Sequence, residues 1–273
     1  MPATEGRSGG GRLDIVLVER GLARSRSHAA ELIKAGRVAV DGRAVVKPAA
    51  PVADEAGIEV EVGDAWVSRA AHKLIAALDA FGLEVAGRTA LDVGASTGGF
   101  TQVLLSRGAA HVVALDVGHG QLSAALAPEI VAGRLVSLEG RNARELTAAA
   151  LAPHHAAPFS LVVADLSFIG LPLVLPAIVG AAPEAELVVL IKPQFEVGRT
   201  GVREGIVHDP SLRADAIDGV LWAAHDLGLA TAGLIASPIV GSHGNAEYLA
   251  RLSRHHGADP SQWRDTIAGL TGA

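Results

Sequence analysis

Apolar positions along the chain change period several times. Leu13, Val16 and Leu17 share one face of a predicted helix that Gly21 ends. Ser25 or Ser27 can cap a second helix, which buries Ala29, Ala30, Leu32 and Ile33 and stops at Gly36. Val38 and Val40, then Asp41-Gly42, then Ala44 and Val46 predict a hairpin with a type I′ turn, and a strand over 57–62 follows. From Ser68 to Leu83 the period is helical again, with Ala71, Leu74, Ile75, Leu78 and Phe81 on one face. Beyond it come short apolar runs at 89–93, 111–116, 134–138, 161–165 and 187–192. Runs such as Leu187 to Ile191 show no polar alternation, so they read as strands covered on both faces. Helical or loop stretches separate them, which predicts an α/β class with a doubly wound parallel sheet. A helix over 212–227, a strand over 231–237, an element opening at 242–248 and a terminal helix over 263–270 complete the pattern.

These elements divide the chain. Residues 1–11 are Gly- and Ser-rich and read as a disordered lead; 12–63 form a small α+β unit. Residues 64–67 are a joint with Trp66 as apolar anchor, 68–254 hold the sheet, and 255–273 form a tail. A chain of 273 residues, 49% hydrophobic and 19% charged, has room for one large and one small core. The sequence contains no cysteine, which excludes disulfides and thiolate metal sites and fits a reducing cytoplasm. The apolar stretch 170–183 is too short to span a membrane and contains three prolines, and residues 1–11 lack the apolar core of a signal peptide.

The net charge of −6 argues against indiscriminate binding to nucleic acid. Its distribution changes that picture. Residues 1–47 hold nine Lys/Arg against five acids, a local balance of +4. A basic head on an acidic chain predicts a docking surface for a polyanion, with Arg12, Arg24, Arg26, Lys34, Arg37 and Lys47 as its exposed cations. The plainer reading is a solvated basic face.

The candidate chemistry gathers at the ends of the strands. The run 89–93 enters the glycine-rich turn Gly94-Ala95-Ser96-Thr97-Gly98-Gly99-Phe100, and a helix follows. Such a turn lets a ligand lie against bare backbone at a helix N-terminus. Asp116 follows Asp92 by 24 residues, near the roughly 20 expected for a carboxylate that holds a ribose diol. Ser96 occupies the place of the middle glycine of a dinucleotide fingerprint, where a pyrophosphate needs room. S-adenosylmethionine (SAM) has a ribose and an adenine but no pyrophosphate, so the turn favours SAM over NAD; a tight turn without ligand is the remaining reading. Asn142 follows the third strand, where a polar group for adenine belongs. Asp165 and Lys192 each end an apolar strand and can face one crevice, or else form an ordinary ion pair. Residues 196–210, with Arg199 and Arg203, read as a mobile polar loop near that crevice that can touch an RNA backbone, or equally as a disordered connection.

The N-terminal helix, helix and hairpin, with Leu22-Ala23-Arg24-Ser25-Arg26 and Val38-Ala39-Val40-Asp41-Gly42, resemble the RNA-binding domain of ribosomal protein S-four type. This unit is joined to Trp66-Val67-Ser68-Arg69-Ala70-Ala71-His72-Lys73-Leu74, the glycine turn, Ala164-Asp165-Leu166-Ser167-Phe168, Lys192-Pro193-Gln194-Phe195-Glu196 and Gly244-Asn245-Ala246-Glu247-Tyr248. The whole set, from about Arg12 to Arg251, resembles the TlyA family of SAM-dependent ribosomal RNA 2′-O-methyltransferases, also called haemolysin-A-like, with an FtsJ-like, Rossmann-like catalytic domain. The resemblance implies a Lys-Asp-Lys-Glu tetrad at Lys73, Asp165, Lys192 and Glu247. It also implies SAM contacts from Gly94, Ser96, Gly98, Gly99, Phe100, Asp116, Asn142 and Asp165, and ribosomal RNA or ribosomal subunits as partner, with cytidine as target.

The chemistry is consistent with that set. A ribose 2′-hydroxyl is a poor nucleophile; it must lie in line with the sulfonium methyl and lose its proton as it attacks. A lysine serves as base where burial or a neighbouring cation favours its neutral form. Lys192 is expected to be the base or oxyanion stabiliser and Lys73 to tune it, with Asp165 and Glu247 orienting both. No metal is required, and one polypeptide can act as a monomer in the cytoplasm. Asp64 stands where the family pattern is basic, and the tail after Arg254 is long. The competing functions are an RNA-binding assembly factor with a vestigial site, a membrane-lytic haemolysin and a small-molecule methyltransferase.

Overall fold

The computed structural model describes residues 10–23, 25–34, 36–60, 66–198, 201–241 and 244–273. Arg24, Asp64, Arg199 and the opening of the 242–248 element lie outside them. The chain divides into two compact units, 1–65 and 66–273.

In the first unit, β1 (Gly10–Arg12) leads into α1 (Leu13–Glu19), followed by α2 (Arg26–Lys34). Then come β2 (Val38–Val40), β3 (Arg43–Ala44), β4 (Pro51–Ala53) and β5 (Ile58–Val60). The Ser25 hydroxyl accepts the His28 N–H at 3.2 Å, so Ser25 caps α2. Asp41 and Gly42 both have positive φ, 49° and 74°, as a type I′ turn requires. β3, β2 and β5 form one sheet, and β1 pairs antiparallel with β4. Gly10 and Gly11 therefore belong to a strand, where a disordered lead to residue 11 was expected; pairing with Val52 and Ala53 supplies the order that their own composition does not. Leu13, Leu17, Ala29, Ile33 and Val38 are fully or nearly fully buried at the centre of the unit.

The second unit opens with α3 (Ala70–Phe81). Then β6 (Thr89–Val93), α4 (Gly99–Ser106), β7 (His111–Leu115), α5 (Ala127–Val131), β8 (Leu135–Leu138) and α6 (Ala148–Leu151) follow. The chain continues through β9 (Leu161–Ala164), α7 (Leu175–Ala181), β10 (Glu186–Ile191) and the single turn α8 (Pro193–Glu196). It ends with α9 (Pro210–Asp226), β11 (Ala230–Ala236), β12 (Tyr248–Ser253) and α10 (Arg264–Thr271). The seven strands lie in the order β11-β12-β10-β9-β6-β7-β8. The five central strand runs predicted from the sequence are there and are parallel to one another. The sheet is not wholly parallel: β12 runs antiparallel to β10 and β11. Residues of β6, β9 and β10 are buried throughout, with a core cluster on each face of the sheet. The segment after Arg254 is no loose tail. Ile267 is buried in one core, and Trp263 and Leu270 pack against it. Trp66 packs on the other.

Strand order reverses between β6 and β9, since β7 and β8 extend one side of β6 and β9 and β10 the other. A crevice opens at such a reversal, beyond the carboxyl ends of the strands. Gly94, Asp116, Asp165 and Lys192 directly follow β6, β7, β9 and β10.

Candidate active site

The turn after β6 is built for close approach. Gly94 has φ +87°, and a Cβ there would stand 2.6 Å from the Asp165 carbonyl oxygen. Ser96 also has positive φ, 48°, an uncommon conformation for a residue with a side chain. Its N–H donates to Asp116 Oδ2 at 2.8 Å, and the Gly118 N–H donates to Asp116 Oδ1 at 2.7 Å. Asp116 is thereby held at the end of β7 with oxygen lone pairs left for a diol. The Ser96 hydroxyl bonds Gln121 Oε1 at 3.1 Å.

These residues border a cavity of about 460 Å³ that also touches Asn142, Asp165 and Phe168, a volume within the usual range for small-molecule sites. Gly94, Ser96, Asp116, Asn142 and Asp165 are thus brought together as expected from the sequence. A smaller adjoining cavity, about 200 Å³, is bordered by Gly94, Ser96, Gly99, Phe100, Asp165 and Lys192. Gly98 borders neither cavity; its φ is +92°, and a Cβ there would meet Leu126 at 2.3 Å. Asn142 Oδ1 accepts the Arg144 N–H at 3.1 Å and caps a short turn. Gln121 carries no signal of its own in the sequence, and Ser167 stands in a quoted motif without an assigned role; both emerge as site residues from the geometry.

Four charged side chains converge beside the smaller cavity. Lys73 Nζ donates to Glu247 Oε2 at 2.6 Å and lies 3.9 Å from Asp165 Oδ2. Lys192 Nζ meets Asp165 Oδ1 at 2.5 Å and the Ser167 hydroxyl at 3.0 Å. Both lysines and Glu247 are buried, and Asp165 is nearly so. The chain Glu247–Lys73–Asp165–Lys192 therefore alternates in charge. Of its two lysines, Lys192 alone borders the cavity; Lys73 stands behind Asp165. Glu247 reaches the site because β12 is reversed. Ile191 pairs with Tyr248, so the residue that precedes β12 lies beside the residue that ends β10. Gly241 makes room for it, since a Cβ there would stand 2.1 Å from Glu247 Oε1. Asn245 accepts the Val207 N–H at 3.2 Å and donates to the Gly205 carbonyl at 2.7 Å, tying the 201–207 loop to the same corner.

Two further acids are tuned by burial. Asp92 is fully buried, and desolvation pushes its carboxyl up to about 7 against the hydroxyl of Thr101, which donates at 2.6 Å. The charges of Asp165 and Asp116 push the same way. Its other oxygen has no hydrogen-bond partner. Burial also raises Glu196 to about 7, although the Leu171 N–H donates to it at 3.0 Å. Above the site, Phe168 has φ +66° and is 91% exposed, a costly position for a large apolar ring. Its centroid is 5.4 Å from that of Phe195.

In the first unit, Arg12, Arg26, Lys34 and Lys47 are exposed and Arg37 is partly so. Arg12 donates twice to Asp14, at 3.0 Å each, and Arg26 once at 3.1 Å. The hydrogen bonds from Arg12, and then from Arg26, hold the Asp14 carboxyl down to about 2. The unbonded N–H groups of both guanidiniums remain available to phosphate.

A Gly-turn at a strand reversal with a carboxylate at the end of the next strand makes a nucleotide-binding α/β site, and a buried Lys-Asp-Lys-Glu chain stands beside it. The FtsJ-like methyltransferase family model matches residues 66–254, and the S4 domain model matches residues 11–58. The chain is 55% identical over 245 residues, 88% of its length and 89% of the relative's, to the "16S/23S rRNA (cytidine-2'-O)-methyltransferase TlyA" of Mycobacterium tuberculosis. It is 40% identical to "Hemolysin A" of Brachyspira hyodysenteriae, covering 88% of this chain and 99% of that one. A solved structure from Streptococcus thermophilus, named provisionally as a hemolysin, matches with TM-score 0.73 and 33% identity over 97% of each chain. The chain belongs to the TlyA family of FtsJ-like methyltransferases, and SAM is its cofactor. No helix among the described residues is long and apolar enough to cross a membrane.

Proposed function

We propose that this chain transfers the methyl group of SAM to the 2′-hydroxyl of a cytidine in ribosomal RNA, acting in the cytoplasm as a monomer. The observation that carries the reading is the placement of Lys192 Nζ: it borders the smaller cavity, anchored between Asp165 and Ser167, next to the cavity that Asp116 and Asn142 border. Gly94, Ser96 and Asp116 fit the cofactor's ribose, and Asn142 borders the same cavity and suits its adenine.

SAM supplies an electrophilic methyl group on a sulfonium. The chain's residues do the rest. Asp165 and Ser167 fix Lys192 so that its Nζ meets the ribose 2′-oxygen. Lys192 as the neutral amine takes the hydroxyl proton as the O–C bond forms, or as the ammonium stabilises the developing oxyanion while solvent takes the proton. Lys73, paired with Glu247, holds the far oxygen of Asp165 and so sets the charge balance around Lys192. The S4 domain, through Arg12, Arg24, Arg26, Lys34, Arg37 and Lys47, binds the RNA backbone.

The test is transfer of labelled methyl from SAM to purified small and large ribosomal subunits. Ribose label in cytidine is expected with the wild type. Lys192→Ala is expected to lose at least about a hundredfold in rate, with SAM affinity retained in calorimetry. SAM binding with no label on either subunit would support an assembly factor instead.

A further inference from the structure

Two cations of the first unit, Arg12 and Arg26, share one acid. Asp14 is the second residue of α1, and its N–H donates to the Pro48 carbonyl at 3.0 Å. Arg12 ends β1, where pairing with Pro51 fixes its backbone, and Arg26 opens α2. Three elements therefore meet at one carboxylate. Asp14 is 5% exposed, whereas the side chains of Arg12 and Arg26 are 51% and 61% exposed. Both oxygens of Asp14 are engaged. Oδ1 accepts from Arg12 Nε, and Oδ2 accepts from the Nη2 of Arg12 and of Arg26.

An acid on a surface that meets a polyanion needs a reason, because Coulomb attraction alone favours its absence. As a staple between α1 and α2 it adds little. Leu13, Leu17, Ala29 and Ile33 already join those helices in one core, and exposed ion pairs are weak. The geometry supplies a different reason. A guanidinium has five N–H donors in a planar fork. Asp14 occupies the Nε and Nη2 edge of Arg12 and one Nη2 donor of Arg26, which leaves both Nη1 groups to donate outward. Two like charges repel, and the shared carboxylate holds them side by side. Long side chains that are already ordered lose less conformational freedom when a phosphate arrives. The hydrogen bonds from Arg12, and then from Arg26, hold the Asp14 carboxyl down to about 2, so it is ionised at neutral pH.

We infer that Asp14 is a positioning residue for RNA binding: its carboxylate presents Arg12 and Arg26 as one paired cation to the phosphate backbone. This rests on the RNA-binding role proposed above for the S4 domain.

The experiment measures the affinity of the full chain for purified rRNA by filter binding. Wild type, Asp14→Asn and Asp14→Ala are compared, and both substitutions are repeated in an Arg12→Ala, Arg26→Ala background. Asparagine keeps the size of the side chain but turns amide N–H groups toward the guanidinium donors. Either substitution makes the surface more positive, so a carboxylate that only offsets charge predicts tighter binding. Positioning predicts the reverse, a loss of about tenfold. The KM for rRNA is expected to rise by that factor, with kcat at saturating rRNA and SAM affinity unchanged. Without the two arginines, the same substitutions are expected to cost nothing. An equal loss in both backgrounds marks a role in the fold alone and overturns the inference, as does unchanged or tighter binding in the single variants. The alanine variant decides the matter if the asparagine variant fails to fold. If Arg12→Ala with Arg26→Ala leaves rRNA affinity unchanged, the proposed docking face is wrong and the inference falls with it. A wild type that binds rRNA but transfers no methyl overturns the methyltransferase reading alone, and the binding comparison still decides the role of Asp14.

Discussion

Lys73 and Glu247 are both buried and 2.6 Å apart, so neither tolerates loss of the other. Removing one partner of such a pair leaves an uncompensated charge out of water and costs about 3–5 kcal/mol. Lys73→Ala is expected to lower the urea midpoint by that measure and to slow methyl transfer. Lys73→Met combined with Glu247→Leu is expected to recover much of the stability but none of the activity. Asp92 behaves in the opposite sense to a salt-bridged acid. Its folded pKa of about 7 lies above the ordinary carboxylate value, near 3.9. Between those values the native state keeps a proton that the unfolded chain has released, so stability falls as pH rises through this window and is level above it. Asp92→Asn is expected to flatten the pH dependence of Tm between about 4 and 7. Glu196, also raised to about 7, acts in the same window, so Asp92→Asn with Glu196→Gln is expected to flatten it further. Asp14 has a lowered pKa, so its contribution is present at neutral pH and is lost only as pH falls toward about 2.

At the scale of elements, the β6 turn and the reversed β12 decide whether a site exists at all. Gly94 has no room for a Cβ, because the Asp165 carbonyl is 2.6 Å away and φ is +87°. Gly94→Ala is expected to push β6 and β9 apart where the cofactor lies. It is expected to weaken SAM binding at least about tenfold and to destabilise the fold by about 1–3 kcal/mol, measurable by calorimetry and thermal melting. β12 acts through register. Because Tyr248 pairs with Ile191, the chain just before β12 delivers Glu247 to the end of β10. A β12 parallel to β10 would start at the opposite end of the strands, and Glu247 would be far from Lys73.

At the scale of the whole molecule, the charge is uneven along the chain: the N-terminal 47 residues carry +4 in a chain of net −6. Binding of ribosomal RNA is expected to weaken with salt, and each phosphate contact adds about 0.7–0.9 to the slope of log affinity against log salt. Lys34→Ala and Lys47→Ala, at two exposed cations with no ion pair among the described residues, are each expected to lower that slope by about one contact. SAM affinity is expected to stay constant in both. Filter binding to rRNA across a salt series, with calorimetry for SAM, separates the two outcomes.

Much of this was legible before any coordinates. The runs 89–93, 111–116, 161–165 and 187–192 are apolar on both faces and long enough only for strands, so local pattern alone placed the central sheet. The glycine turn and the acids and lysine that end the strands followed from where those apolar runs stop, and the family motifs added Lys73 and Glu247. What the pattern does not carry is direction and partnership. A strand such as 248–253 reads the same whether it runs with or against its neighbour, because side-chain alternation is blind to polarity. Gly10 and Gly11 look unstructured until β4 supplies their hydrogen bonds, and Ile267 looks like tail until a core covers it. Distances between residues far apart in the chain, such as Lys73 to Glu247, and the meeting of Arg12 and Arg26 on Asp14 arise only from packing. The sequence by itself determined which residues could do the chemistry; the tertiary structure decided which of them meet, since burial and pairing energies depend on neighbours that no local window contains.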